Sequence, residues 1–338
     1  MSRMSRPAAL TPIGRHFECE RTWKRGRTRE MTSMHGLLLI DKDSGLSSHA
    51  VVSKVRRALQ TRAVGHAGTL DPMATGLLVL GIGEGTKLLH YLTGHDKQYA
   101  AAVHLGLATD SWDADGQIVQ ERPVAAMDQS DIGRIAQRFV GTFEQRAPAV
   151  SAIKLGGEAL YKKVRRGETV DAPSRSVTVH RLDVLQVELP RFMLRVSCAK
   201  GFYVRSLAHD LGVALGTVAH LCALRRERSG PFTVAEAVRF SLLQAAAAGD
   251  EAARLQLRQE VWPLSRALEV LPIVRLDSAG AEHARHGRPI PSVHVVGVKG
   301  EPPGDEQPLG LLSADGDPLA IAVQRSRQLH VVRGFRLA

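Results

Sequence analysis

Cysteine is scarce in this chain. Cys19, Cys198 and Cys222 are the only three in 338 residues, and none stands in a CxxC spacing. That argues against a disulfide framework or a cysteine zinc site and suits a reducing compartment. Long apolar runs are missing too. None approaches the ~18 residues that a membrane helix needs; the longest candidate, Leu77 to Ile82, is strand-sized. The leading segment has no apolar h-region, so it is not a secretory signal. The histidines show no HExxH or similar ligand spacing, and no repeat recurs at a solenoid period.

Charge of one sign is plentiful. The formal net charge is +11, which favours an acidic partner, nucleic acid being the usual one for a basic globular protein. Much of the excess sits at the front. Residues 1–33 hold eight basic residues, from Arg3 to Arg29, against Glu18, Glu20 and Glu30. Patterned sequence starts only at His35. Residues 1–34 are therefore expected to be a disordered basic extension, or a stretch preceding a true start at Met31 or Met34.

From there strands and helices are interspersed without a regular βαβ rhythm, which predicts an α+β fold with a mixed sheet. Strands are expected at Gly36–Asp41, Leu77–Gly81, Lys97–Leu107, Val177–Val187 and Met193–Cys198. A helix capped by Ser47 or Ser48 should run through Leu59. Further helices are expected over Glu84–Leu92, Asp131–Val140, part of Gly156–Gly167, Tyr203–Leu215, Val234–Ala247 and Glu251–Leu268. Strand-like pieces at 309–323 and 328–335 suggest a small β-rich domain over residues 266–338, after a main domain over 35–265.

Two glycine-rich stretches imitate known loops and fail. Gly81-Ile-Gly83-Glu-Gly85-Thr86-Lys87 looks like a phosphate loop, but both the Walker and the dinucleotide patterns need Gly where Thr86 stands. Ser111, Asp113, Asp115 and Gly116 imitate a calcium loop, but the closing Glu would fall on Arg122. The plainer reading is a turn with solvated acids.

A third stretch, Gly65-His66-Ala67-Gly68-Thr69-Leu70-Asp71-Pro72-Met73-Ala74-Thr75-Gly76, holds one carboxylate in a glycine-rich loop. Pro72 pushes Asp71 away from helical geometry and stiffens the loop. A lone acid held this way is either a structural cap or a positioned reagent; spacing alone leans to the cap, since Asp in loops commonly bonds nearby backbone N–H groups, but does not choose.

Other segments do choose. Gly36–Ser48 (GLLLIDKDSGLSS), Asp96-Lys97-Gln98-Tyr99, Gly141–Gln145 with Pro148–Lys154, Tyr161 with Arg165-Arg166-Gly167, Ser197–Leu207 (SCAKGFYVRSL) and His220–Arg226 (HLCALRR) join the acidic loop. Together and in order, from about residue 35 to 230, they resemble bacterial TruB-type tRNA pseudouridine synthases. Two positions depart from the family pattern: Asp43 and Ala147 stand where prolines are usual.

The resemblance implies an isomerase that detaches uracil from ribose in RNA, turns it and rejoins it through carbon, at uridine 55 of the tRNA T-loop. It implies Asp71 as nucleophile and Arg205 as its counter-ion. Carboxylates, with a reference pKa of about 3.9, are ionised at neutral pH without a neighbouring base. Tyr99 would stack on the target base, Tyr203 and Leu224 would line the pocket, and His66 would fill space vacated by the flipped nucleotide. Gly68 and Gly76 would let RNA backbone come close. An insertion near 129–167 would grip tRNA, its cluster Lys162, Lys163, Arg165 and Arg166 meeting phosphates. The tail over 266–338 would be a PUA-like RNA-binding domain. No cofactor, metal, membrane or guide RNA is implied, and a cytoplasmic monomer is expected. The competing readings are an RNA-binding tRNA folding aid with secondary or lost catalysis, and a guide-RNA-dependent relative.

Overall fold

The computed structural model describes residues 34–149, 154–155, 158–159, 166, 168, 172–301 and 304–337. Residues from Ser33 onward form one compact unit, built on a mixed sheet. Its main path runs Val238–Arg239, Gly36–Lys42, Thr75–Ile82, Ala219–Ser229, Lys97–Leu105, Arg191–Cys198, Ser174–Glu188 and Gly141–Arg146. The Gly36–Lys42 and Thr75–Ile82 strands are antiparallel, while Thr75–Gly76 meets Arg225–Arg226 in parallel. That parallel contact brings the end of the acidic loop against the strand of the HLCALRR segment.

The unbroken apolar runs of the two central strands are explained by burial on both faces. Successive strand residues point to opposite sides. Leu38, Ile40, Leu78 and Leu80 join a core with the helix Ser48–Leu59 and the helices Phe240–Ala248 and Glu251–Gln259. Leu37, Leu39, Leu77 and Val79 join a second core with Leu264, Leu268, Ile273, Leu312 and Ile321. The second core fuses the main sheet to a C-terminal β-rich half-barrel. Its six-stranded sheet runs Ile290–Pro291, Gln328–Gly334, Pro318–Arg325, Pro308–Ser313, Ile273–Leu276 and Val295–Lys299.

The phosphate-loop lookalike is part of this junction. A Cβ on Gly85 would fall 1.9 Å from the Gly36 carbonyl oxygen, so its glycine serves close backbone packing. Lys87 pairs with Glu84 at 2.5 Å and donates to the Gly334 carbonyl at 2.7 Å, while Glu84 accepts from the Arg336 N–H at 2.8 Å.

Several expected elements differ. Val234–Ala247 is not one helix: a 3-10 turn, Val234–Glu236, leads to Val238–Arg239, which pairs in parallel with Ile40–Asp41 before the helix begins at Phe240. Edge pairing has overridden alanine-rich propensity. Glu251–Leu268 breaks at Gln259, because Trp262–Pro263 pairs with Gly36–Leu37 and proline cannot continue a helix. Glu84–Leu92 is a 3-10 turn, Gly83–Leu88, followed by the short helix Leu89–Thr93. The 309–323 piece is two strands, Pro308–Ser313 and Pro318–Arg325. The helix Ser278–Arg285, capped by Asp277 onto the Gly280 N–H, was not expected.

Candidate active site

The acidic loop is fastened from below by two buried cations. Lys42 closes the first strand and is fully buried. Its ammonium donates to the carbonyls of Asp43 (2.9 Å), Leu46 (2.8 Å) and Pro72 (3.2 Å). Burial pulls it down to about 8. The turn after it is tied to the same loop, through Gly45 N–H to Pro72 O at 2.8 Å and Ser44 Oγ to Met73 O at 3.0 Å. Asp43 in place of proline therefore leaves that turn fastened. Ser47 caps the following helix, while Ser48 Oγ accepts from Leu70 N–H at 2.8 Å.

Arg226 is the second cation and is also buried. It donates from Nε to the Leu77 carbonyl (2.7 Å), from Nη1 to Thr69 (3.3 Å) and from Nη2 to Gly68 (3.2 Å). Each guanidinium nitrogen thus donates to a backbone carbonyl of the loop or the strand that follows it. The Gly76 backbone holds φ +98°, and a Cβ there would lie 2.3 Å from the Arg226 carbonyl oxygen. That glycine admits the protein's own neighbouring strand, not RNA backbone. Gly68 holds φ +107°, again a left-handed requirement.

With its backbone held, the loop presents Asp71 to Arg205. Nε and Nη2 of the guanidinium donate to Oδ2 and Oδ1, each at 3.0 Å, a two-pronged pair. Arg205 is 4% exposed and Asp71 28%. The carboxylate thus has a buried partner on one side and an open face on the other. Arg205 lies in the first turn of the helix Val204–Ala214, whose entry is pinned by Gln145: its amide donates to the Tyr203 carbonyl (3.0 Å) and accepts the Tyr203 N–H (2.9 Å). The Arg175 guanidinium lies 4.5 Å over the Tyr203 ring. Ala147 donates its N–H to the Pro173 carbonyl at 3.2 Å, a bond that proline could not make.

The remaining expected residues surround this pair unequally. Tyr99 is half-buried, faces the Arg226 guanidinium and feels the Asp71 charge; burial pushes its phenol up. Leu224 is buried two residues before Arg226, and its carbonyl accepts from Thr75 Oγ1 at 3.4 Å. His66 ends the strand Val64–His66 opposite Leu80. Burial, then Arg226, hold its imidazole below the ordinary value. Arg226 is thus a hub between Tyr99, His66 and the loop. Lys162, Lys163 and Arg165 lie outside the described residues. Arg166 is exposed and donates to Glu168 at 2.9 and 2.7 Å.

One partner of Arg205 escaped the sequence. In the turn 110–116, Asp110 and Asp115 are exposed, as solvated acids should be, but Asp113 is not. Asp113 is buried, lies 3.5 Å from Arg205 Nη1 and accepts from Ser111 Oγ (2.5 Å) and Asp115 N–H (3.1 Å). The Ser111 carbonyl accepts from Arg205 Nη1 at 3.2 Å. Burial, then Asp113 and Asp71, push Asp115 above the usual carboxylate range. The signal was Gly116, where a Cβ would fall 2.3 Å from Asp110 Oδ1 and Ser111 Oγ; such a turn folds inward on its own polar groups.

Residues 56–204 match the model of the TruB family pseudouridylate synthase N-terminal domain, and residues 205–269 match that of the tRNA pseudouridylate synthase B C-terminal domain. A tRNA pseudouridine synthase B of Xanthomonas campestris pv. campestris (strain B100) is 43% identical over 291 residues, covering 84% of this chain and 92% of the relative. One from Thermobifida fusca (strain YX) is 41% identical over 300 residues, covering 86% and 95%. Among solved structures, a Cbf5-Nop10-Gar1 complex matches with TM-score 0.70 at 24% identity, over 92% of this chain and 88% of that one. A chain in an H/ACA RNP bound to a substrate RNA containing 2'-deoxyuridine gives 0.68 at 23%, with the same coverage. These two likenesses concern the fold alone.

Proposed function

The chain belongs to the TruB family and isomerises uridine to pseudouridine in tRNA, and from that premise we propose that its target is uridine 55 of the T-loop and that Asp71 is the nucleophile. The observation that carries this reading is the two-pronged Arg205–Asp71 pair, closed on the Arg205 side and open on the other. A fork of two donors fixes the plane of a carboxylate as well as its charge. The open face is where a flipped nucleotide would enter.

The isomerisation breaks the N1–C1′ glycosidic bond and forms C5–C1′. One proton leaves C5 and one joins N1, so the base keeps its composition. Asp71 supplies the electron pair that holds the fragment while uracil turns. Tyr99 offers a ring on which the detached base stacks, worth about 1–3 kcal/mol for one base. Leu224 and Tyr203 supply apolar walls, and His66, kept neutral, meets the loop of the tRNA. Lys162, Lys163, Arg165 and Arg166 contact phosphates. Residues 266–338 act as a PUA-like RNA-binding domain. The enzyme works as a cytoplasmic monomer without a guide RNA.

The test is pseudouridine formation on an unmodified tRNA transcript by wild type and Asp71→Asn. We expect product at position 55 with wild type and none with the variant, at similar tRNA affinity. Equal activity in the two sinks the nucleophile assignment. Activity that survives replacing uridine 55 by cytidine sinks the choice of target.

A further inference from the structure

The 110–116 turn meets the Arg205 helix through a large aromatic residue that the Asp71–Arg205 pair does not itself explain. Trp112 stands between Ser111 and Asp113, the two residues that engage Arg205 Nη1. Its backbone holds φ +62°, a left-handed conformation that bulky L-residues rarely adopt. Both of its backbone polar groups are used: the N–H donates to Thr109 O at 3.3 Å, and the carbonyl accepts from Leu221 N–H at 3.0 Å. Its indole lies flat on the His209 imidazole, with centroids 4.4 Å apart and planes 13° from parallel. His209 follows Arg205 by four residues on the helix Val204–Ala214, so the two share one helix face. A residue held in a sparsely populated conformation persists only where its surroundings over-determine it. Here two backbone bonds and a ring stack do so, next to the two residues that hold Arg205 Nη1.

We propose that Trp112 is a positioning residue for the isomerisation. Its stack on His209 clamps the 110–116 turn to the Arg205 helix. The Ser111 carbonyl and the Asp113 carboxylate then hold the outer edge of the guanidinium. A guanidinium is rigid and planar, so fixing Nη1 fixes Nε and Nη2 with it. The inner edge stays square to Asp71, and both 3.0 Å bonds depend on that one orientation. The inference rests on the reading of Asp71 and Arg205 as the working pair.

Trp112→Gly is the sharpest probe, because glycine suits the left-handed backbone and removes only the indole. Single-turnover rate, tRNA dissociation constant and thermal midpoint are measured for Trp112→Gly, Trp112→Phe, His209→Ala and the Gly/Ala double variant. The rate of Trp112→Gly should fall about tenfold, the scale of one aromatic pair expressed as a rate. Its tRNA affinity and thermal midpoint should hold. Trp112→Phe, which keeps a stacking ring, should recover most of the rate. His209→Ala should reproduce the loss, and the double variant should lose no more than either single one, since both remove the same contact. A wild-type rate for Trp112→Gly overturns the proposal. So does a loss confined to tRNA affinity, which would make the indole an RNA contact, or full additivity in the double variant. Asp71→Asn run alongside separates the two readings. If it stays active, the working pair is wrong; if it is inactive while Trp112→Gly is unaffected, only the clamp is wrong.

Discussion

Replacing Arg205 by lysine keeps the charge and removes the fork. The native guanidinium gives Asp71 two bonds of 3.0 Å and sends its third nitrogen to Ser111 O at 3.2 Å and to Asp113 at 3.5 Å. A lysine ends in one nitrogen, which can serve one oxygen of Asp71 or reach toward Asp113, but cannot hold the carboxylate plane. At least one charge-assisted bond to Asp71 is lost, worth about 1.5–3 kcal/mol. If that alignment matters only in the transition state, the single-turnover rate falls about 10- to 150-fold. Asp113 keeps its bonds from Ser111 Oγ and the Asp115 N–H. Destabilisation should therefore stay below the about 3–5 kcal/mol of a fully orphaned buried charge.

The assay uses a tRNA transcript carrying tritium at uracil C5, since forming the C5–C1′ bond releases that hydrogen to water. Rate and tRNA dissociation constant are read separately. Affinity should change by less than about threefold, because phosphate contacts made elsewhere set it. A wild-type rate refutes the pairing argument. Equal losses of rate and affinity refute the claim that Arg205 acts on Asp71 and not on RNA.

The loop's fastenings give three further expectations. Gly76→Ala would put a Cβ 2.3 Å from the Arg226 carbonyl at a φ of +98°; it should cost about 1–3 kcal/mol in denaturant unfolding, and an unchanged midpoint would contradict the packing described. Arg226→Met removes the donors to Leu77, Thr69 and Gly68; at about 1–3 kcal/mol for each orphaned acceptor it should lower stability by several kcal/mol and activity with it, and a fully stable, active variant would overturn the hub. Burial lowers Lys42 to about 8 from its usual 10.5. Between those values the unfolded chain binds more protons at this site, so this site's contribution to stability rises with pH across that window. The loop meanwhile loses one of three N–H donors, so the rate should decline above about pH 8 with no matching fall in thermal midpoint from this site; a rate flat to about pH 10 would sink the argument.

The parts of the fold that could be read from sequence are those where local pattern and final environment agree. Leu37 to Ile40 and Leu77 to Leu80 read as buried strands because both sheet faces are covered. Asp71 stood out because glycine and proline mark a loop under constraint. The elements that misled are those where a distant partner overrode composition: Val238–Arg239 and Trp262–Pro263 leave helical pattern to pair with the first strand. The helix Ser278–Arg285 was masked by Gly280, which is small because a Cβ would meet His294 Cβ at 2.7 Å. Asp113 reads as a solvated acid because its partner Arg205 is 92 positions later; Gly116 marks a turn that folds inward but points to no partner. Lys42 and Arg226 read from sequence as motif members without roles, since cations are normally surface residues.

Those two cations and Arg205 divide one task by chemistry. Lys42 and Arg226 donate to main-chain carbonyls flanking Asp71, at Gly68, Thr69 and Pro72, and not to its carboxylate, whose charge Lys42 feels only through space. Arg205 engages the carboxylate and none of those carbonyls. Neutral acceptors take the hydrogen bonds of the two buried cations, so among the described residues the carboxylate keeps one hydrogen-bonding side chain, Arg205, and an open face. Loop rigidity and carboxylate aim are therefore separable. Removing the Lys42 or Arg226 side chain by substitution should move stability and rate together, because the same carbonyls support both. Weakening Arg205 should move the rate first, because the backbone beneath Asp71 is held by other residues.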